Sequence, residues 1–227
     1  MTKLKKGRTG AVTFVAAPAL RRRSLLGMVV IAAVPLNQPS FANEAPADAT
    51  AAITRFNEAL LAAMRSSGQT TFSRRFQVLA PAVDQTFDLR AVLAISVGPS
   101  WANLSPDLQG RLLDAFRRYT VVSYVANFDS YDGQRFAVSP NTRSLDPGRV
   151  VVQSSFEPRR GDATEFGYVM QQTSSGWKVV DVLATGSISR VAVQRSDFRQ
   201  IMSRGGGDAL LATLQRKASD LSGGTLA

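Results

Sequence analysis

The chain contains no cysteine and no histidine. The first absence removes disulfides and thiol nucleophiles, whatever the redox state of the compartment. The second removes the usual general base, the usual zinc ligand and the side chain that changes charge near neutral pH. Acid is missing locally: residues 1 to 42 hold Lys3, Lys5, Lys6, Arg8, Arg21, Arg22 and Arg23 with no Asp or Glu. Of 27 basic residues, these seven leave 20 against 17 acids in the remainder, so the formal net charge of +10 falls there to +3. A nucleic-acid partner, which a pI near 10.8 would otherwise suggest, is therefore not indicated. Also absent are a P-loop, a dinucleotide glycine motif, any metal-ligand spacing and a Gly-x-Ser-x-Gly elbow. No cofactor or metal is expected.

What the first 42 residues do contain is the layout of a secretory signal. A basic segment ends in Arg21-Arg22-Arg23, the apolar run Leu25 to Leu36 follows, and Ser40-Phe41-Ala42 offers a small-x-small cleavage site. That run is about a dozen residues, against the roughly 20 a membrane-spanning helix needs. Cleavage is expected near Asn43, with an uncleaved anchor as the other reading. Arg22-Arg23-Ser24-Leu25-Leu26 also matches the twin-arginine pattern, and a basic segment with a chance arginine pair accounts for it as well.

After a flexible tail at 43–52, one domain is expected over 53–221. Ile53, Phe56, Leu60 and Met64 recur at helical spacing. Phe72, Phe76, Leu79, Val83 and Phe87 continue it, with Pro81 expected to bend or divide the element. Asp88-Leu89-Arg90 starts another apolar helix that Gly98-Pro99 stops, and Trp101 falls in the turn beyond. Ser105-Pro106-Asp107 is the clearest helix start in the chain: a side-chain cap, a proline at the first helical position and an acid at the positive end of the dipole. The helix it opens is amphipathic at first and apolar nearly all round from Val121 to Phe128. Such a segment must be covered on most sides, as a central core helix or with one side on an apolar cavity.

Beyond Gly133 the period changes from 3.6 to 2. Residues 135–139, 149–157, 164–172 and 177–184 read as four strands, separated by Pro140-Asn141 and Asp146-Pro147-Gly148, by 158–162 and by Ser174-Ser175-Gly176. Short connections imply an antiparallel meander. Alternation puts Phe166, Tyr168 and Met170 on one face and Glu165, Gly167, Val169 and Gln171 on the other. Two helices are expected to close the chain, Ile188 to Met202 and Leu210 to Leu221, parted by Gly205-Gly206-Gly207. Helices, then strands, then helices make an α+β domain.

The closing stretch carries a resemblance. Gly176-Trp177-Lys178-Val179-Val180-Asp181-Val182, then Gly186-x-Ile188-Ser189, Arg195-Ser196-x-Phe198, a glycine break at Gly205 and Asp208-x-Leu210-Leu211 together resemble the signature of the MlaC-type, or toluene-tolerance-like, periplasmic lipid carriers. The hopanoid-biosynthesis-associated branch is the part of that family it looks closest to. The resemblance implies a curved antiparallel sheet of about four strands, covered by N-terminal and C-terminal helices and in part similar to the NTF2-like cone, around an internal apolar pocket. It implies a monomeric carrier without catalytic activity, moving phospholipid or hopanoid in the periplasm for outer-membrane maintenance. The implied partners are inner-membrane and outer-membrane transport components. The longer arginine-rich leader and the triple glycine depart from the family pattern.

The expected lipid-lining residues are Phe166, Tyr168 and Met170 on one strand, Val152 on its neighbour, Val121 and Val125 on the apolar half of the long helix, and Trp101. Burying an acyl chain of on the order of sixteen carbons contributes about 12 kcal/mol gross, at roughly 0.8 kcal/mol per methylene. For an enzyme the candidate is Asp181, on a strand face with Trp177, Val179 and Leu183, where apolar surroundings raise a carboxyl pKa and make it a base. The alternative is that Asp181 accepts structural hydrogen bonds and pins the following loop. Arg74, Arg75, Arg117, Arg118, Arg159, Arg160, Arg195 and Arg199 either face solvent or meet anionic head groups and acidic partners.

Overall fold

The computed structural model describes residues 47–226; the expected leader and its cleavage site lie outside the described residues. Helix α1 (Ala47–Arg65) buries Ile53, Phe56, Leu60 and Met64 along one stripe. It begins earlier than expected, because Ala49, Ala51 and Ala52 are strong helix formers and Ala49 is fully buried; residues 47–52 are helix and not flexible tail. Helix α2 (Phe72–Thr86), capped by Thr71, runs through Pro81 undivided. Pro81 and Gln77, whose carbonyl loses its donor, are both exposed, so water can satisfy the freed group.

Helix α3 (Leu89–Val97) starts where the Asp88 carboxylate accepts from Ala91 N at 2.9 Å. It stops at Gly98, whose φ of +75° favours glycine. A 3₁₀ turn, Gly98–Asn103, holds Trp101. Helix α4 (Pro106–Asn127) is capped as its sequence dictates, with Ser105 Oγ accepting from Leu108 N.

Five strands form one antiparallel sheet in the order β1-β2-β3-β4-β5: β1 (Arg135–Asp146), β2 (Arg149–Glu157), β3 (Thr164–Thr173), β4 (Gly176–Ala184) and β5 (Ile188–Ser189). The architecture is α+β, as expected. Pro140-Asn141 proves to be no turn. The first strand continues through it, with a register shift between Val138 and Thr142. β1 is an edge strand, where a proline removes no needed ladder bond. The other difference is β5, whose Ile188 pairs with Ala184 instead of starting a helix.

One face of the sheet carries the main core. Val152 stands opposite Tyr168 and Val150 opposite Met170, and these pack with Phe56, Leu60, Leu79, Val121 and Val125 from the helices. On the other face Val151, Val169 and Val180 form a small second cluster with Ala91 and Leu183. A bulge in β4 sets which of its side chains reach each face. Val169 pairs with Asp181 while Met170 pairs with Val179, leaving Val180 as the extra residue. Val179 therefore joins the main core and Leu183 the opposite cluster, so the expected single face of Trp177, Val179, Asp181 and Leu183 is divided.

Helix α5 (Arg190–Leu221) is broken within, where Gly206 has a φ of +63°. The two expected closing helices are its two halves. At the break Gly207 lets α5 approach α4, since a β-carbon there would lie 2.7 Å from Leu108 Cδ2.

Candidate functional site

The described part of the chain encloses a cavity of about 330 Å³ between α3, α4, β3, β4 and the start of α5. Its walls are mostly apolar: Leu89 and Val92 from α3, Phe116 and Tyr124 from α4, Phe166 and Tyr168 from β3, Val179 and Val182 from β4, and Val191 from α5. Phe87 closes one side, joined to the sheet where Asp88 N donates to Val179 O at 3.0 Å. The α4 wall repeats at three and four residues, with Phe116, Tyr119, Thr120, Ser123, Tyr124 and Asn127 along one stripe. Thr120 and Ser123 turn their hydroxyls back to the carbonyls of Phe116 and Tyr119, at 2.8 and 2.7 Å, and so bring no unsatisfied group to the cavity.

An aromatic cluster backs the cavity. The Phe56 ring meets Phe87 and Tyr124 edge-on, both at 5.2 Å, and Tyr168 at 6.3 Å. Tyr124 in turn stacks on Phe128 at 6.2 Å. Burial pushes both tyrosine hydroxyls above the ordinary phenol range, and Arg190 partly offsets this at Tyr124.

Asp181 lies on the cavity wall, and its oxygens are engaged. One accepts from Val182 N at 2.7 Å and from Val191 N at 3.0 Å; the other accepts from Ser189 Oγ at 2.5 Å. Ser189 itself caps Ala192 N at 2.9 Å. The carboxylate thus ties β4 to the first turn of α5, a favourable position for negative charge. Lys178, three residues earlier, does the reverse: its Nζ donates to Gln85 O at 2.6 Å, at the negative end of α2. The Gly-Trp-Lys-Val-Val-Asp stretch is thus the splice between the sheet and two helix ends.

Of the residues expected to line a lipid pocket, Phe166 and Tyr168 stand on the cavity wall. Val121, Val125, Val152 and Met170 do not; each is sealed in the adjoining core at 0–1% exposure. Trp101 packs at the edge of that core from the 3₁₀ turn. Strand alternation placed Val152 and Met170 on the correct face but says nothing about where along it packing stops. Missed were Tyr124, Val182, Arg190 and Gln194. A sequence signal for the α4 wall did exist: Thr120, Ser123 and Asn127 interrupt an otherwise aromatic stripe.

The arginines divide too. Arg117 makes a two-pronged pair with Asp84 at 2.7 and 2.5 Å, and that pairing raises its pKa. Arg75 lies over the Phe72 ring, and Arg118 donates to Leu226 O. Among the described residues no cluster of three potential metal ligands occurs, and no helix is long and apolar enough to cross a membrane.

Comparison with known proteins gives two findings. Residues 54–216 match the sequence model of the family described as MlaC protein. The fold is also similar to that of a phospholipid-binding protein from Ralstonia solanacearum solved in complex with a phospholipid, with a TM-score of 0.67 and 23% identity over 77% of this chain and 99% of that one. No curated protein matches the sequence significantly.

Proposed function

This chain belongs to the MlaC family, and from that premise we propose that it is a periplasmic lipid-binding carrier. It takes up phospholipid or hopanoid and shuttles it between inner and outer membranes as the soluble component of a transport system. The observation that carries this reading is the cavity of about 330 Å³, walled mainly by apolar side chains from α3, α4, β3, β4 and α5. A pocket of that size and lining suits an acyl chain and wastes the chemistry of a polar metabolite. The phospholipid held by the similar Ralstonia solanacearum protein supports the same ligand class.

In this reading residues 1–42 are a cleaved leader of the general or twin-arginine type, and 53–221 form the lipid-binding domain. The protein works as a monomer and docks on inner-membrane and outer-membrane transport components, and its ancestry lies in the hopanoid-associated branch. The lipid contacts are Phe166 and Tyr168, extended by the α4 stripe. An enzyme using Asp181 as acid or base is the weaker reading, because Ser189, Val182 and Val191 already engage both carboxylate oxygens.

The direct test is to purify the exported protein, extract it with organic solvent and identify lipids by mass spectrometry. Phospholipid or hopanoid in stoichiometric amount is the expected result. An extract without lipid, combined with turnover of a small substrate that Asp181→Asn abolishes, would overturn the carrier in favour of the enzyme. N-terminal sequencing of the same sample is expected to start at or near Asn43.

A further inference from the structure

Beyond residue 42 the excess positive charge is concentrated in two adjoining segments. Helix α3 and the first half of α5, residues 190–204, carry Arg90, Arg190, Arg195, Arg199 and Arg204 against a single acid, Asp197. Of the 20 basic residues and 17 acids beyond residue 42, these leave 15 against 16 elsewhere, so the net +3 comes entirely from here. The two segments touch: Ser96 Oγ lies 3.3 Å from Gln194 Oε1, and a β-carbon at Gly98 would lie 3.7 Å from Arg195 Nε. All five arginines are exposed, and none takes part in an ion pair among the described residues, whereas Arg111, Arg117, Arg135 and Arg149 each meet an acid.

Two of the five stand where their own helix resists them. Arg90 and Arg190 occupy the first turns of α3 and α5, at the positive ends of the dipoles, where an acid is favoured and a cation is not. A side chain placed against the local preference points to a use outside the helix. The outward side of this half of α5 is uncharged. Val191 and Phe198 are buried, and helical periodicity puts Ala192, Val193, Ser196, Gln200 and Ser203 opposite them, all exposed. Arg195 and Arg199 flank that strip on one side; Arg190, Asp197 and Arg204 flank it on the other. Val193 is 43% exposed, and Ile95 on α3 and Ile188 just before α5 are 46% and 45% exposed. Arg190 lines the cavity and Ile188 pairs with the cavity residue Ala184, so this surface borders the cavity.

We infer that the surface of α3 and the first half of α5 docks on the face of an anionic bilayer. Laid flat, α5 brings its uncharged strip to the head groups, and the flanking arginines reach phosphates on both sides with their apolar stems along the interface. A protein partner would have to fix an acid opposite each arginine, whereas head groups diffuse to them. The docking is on lipid itself, in addition to any transport component, and it brings the edge of the cavity at Arg190 to the membrane.

The test is co-sedimentation of the exported protein with vesicles of phosphatidylcholine containing about 30 mol% phosphatidylglycerol, and with vesicles of phosphatidylcholine alone. Binding is expected to the first and not the second, and to disappear between about 0.1 M and about 1 M salt, as the screening length shrinks from about 10 to about 3 Å. Arg195→Gln with Arg199→Gln is expected to lower the partition coefficient about 25-fold, at about fivefold for each basic residue near an anionic surface. Arg90→Gln with Arg204→Gln carries the same expectation from the other end of the surface. Arg55→Gln with Arg216→Gln removes the same charge from exposed positions of α1 and the second half of α5 and is expected to change binding by less than about twofold. Co-purifying lipid is expected to be unaltered in all three variants, which separates docking from the carrier reading. Equal loss in the Arg55 and Arg216 variant would overturn the surface in favour of net charge alone. Equal binding to the neutral vesicles would overturn the role of the arginines. No binding to the anionic vesicles at low salt would overturn the membrane as partner and leave the surface to an acidic protein.

Discussion

The two sides of α4 are built on one helix and meet different ends. Val121, Val122 and Val125 are sealed at 0–1% exposure, whereas Thr120, Ser123, Tyr124 and Asn127 border the cavity. Val121 and Val125 belong to the same buried cluster as Phe56 and Leu60 of α1 and Leu79 and Val83 of α2, so that side closes to crystal-like density. On the other side, hydroxyls and an amide alternate with bulky rings. Rings prop the wall apart, and small hydroxyls already bonded to the helix's own carbonyls sit beside open volume at little cost. What separates pocket from core here is not hydrophobicity but whether neighbouring shapes can close.

The largest expected effect lies on the closed side. Phe56 is fully buried and backs both cavity tyrosines, so Phe56→Ala is expected to cost about 3–5 kcal/mol by denaturant titration. A loss below about 1 kcal/mol would mean that this side collapses freely and that the contrast with the cavity is false.

A second test reads the depth of the tyrosines. Folding holds the Tyr124 and Tyr168 hydroxyls above their ordinary pKa through burial, so their contribution to stability is complete below the unfolded value near pH 10 and is lost as pH rises beyond it. The expected slope is about 1.4 kcal/mol per pH unit for each tyrosine in that window. Tyr168→Phe should make the alkaline limb of the stability profile shallower; an unchanged limb would put that hydroxyl in bulk water.

Third in size is the splice at the cavity's edge. Asp181→Ala removes three accepted hydrogen bonds at the start of α5 and is expected to cost about 1–2 kcal/mol. Amide exchange should accelerate at Val191 and Ala192 and stay unchanged in α1. Uniform acceleration would show that α5 does not open separately from the core.

The sharpest comparison sets an overpacked core position beside the smallest stability effect of all, at Ser123. Val125→Phe is expected to overpack the closed side of α4 and cost about 1–3 kcal/mol. Ser123→Phe, two residues away on the open side, should change stability by no more than about 0.5 kcal/mol while reducing co-purifying lipid. Equal destabilisation by the two would erase the distinction between the faces.

From sequence alone came the local structure, because its causes are local. Ser105-Pro106-Asp107 starts a helix wherever it stands, Gly98 stops one, and the alternation of β2 and β3 needs only the pleat. Asp181 was legible as an acid among apolar residues, and its two readings were both available. Three decisions needed the tertiary structure. Pro81 is harmless because the face of α2 it occupies is exposed, and Pro140 because β1 has no neighbour on its outer side. The bulge at Val180 sends Val179 and Leu183 to opposite faces, which a strict period of two forbids. And the border between core and cavity, with Tyr168 on the wall and Met170 beside it in the closed interior, depends on how far α3, α4 and α5 stand from the sheet. Apolar pattern tells which side of an element turns inward; only the distance between packed elements decides whether the interior there is filled or left open.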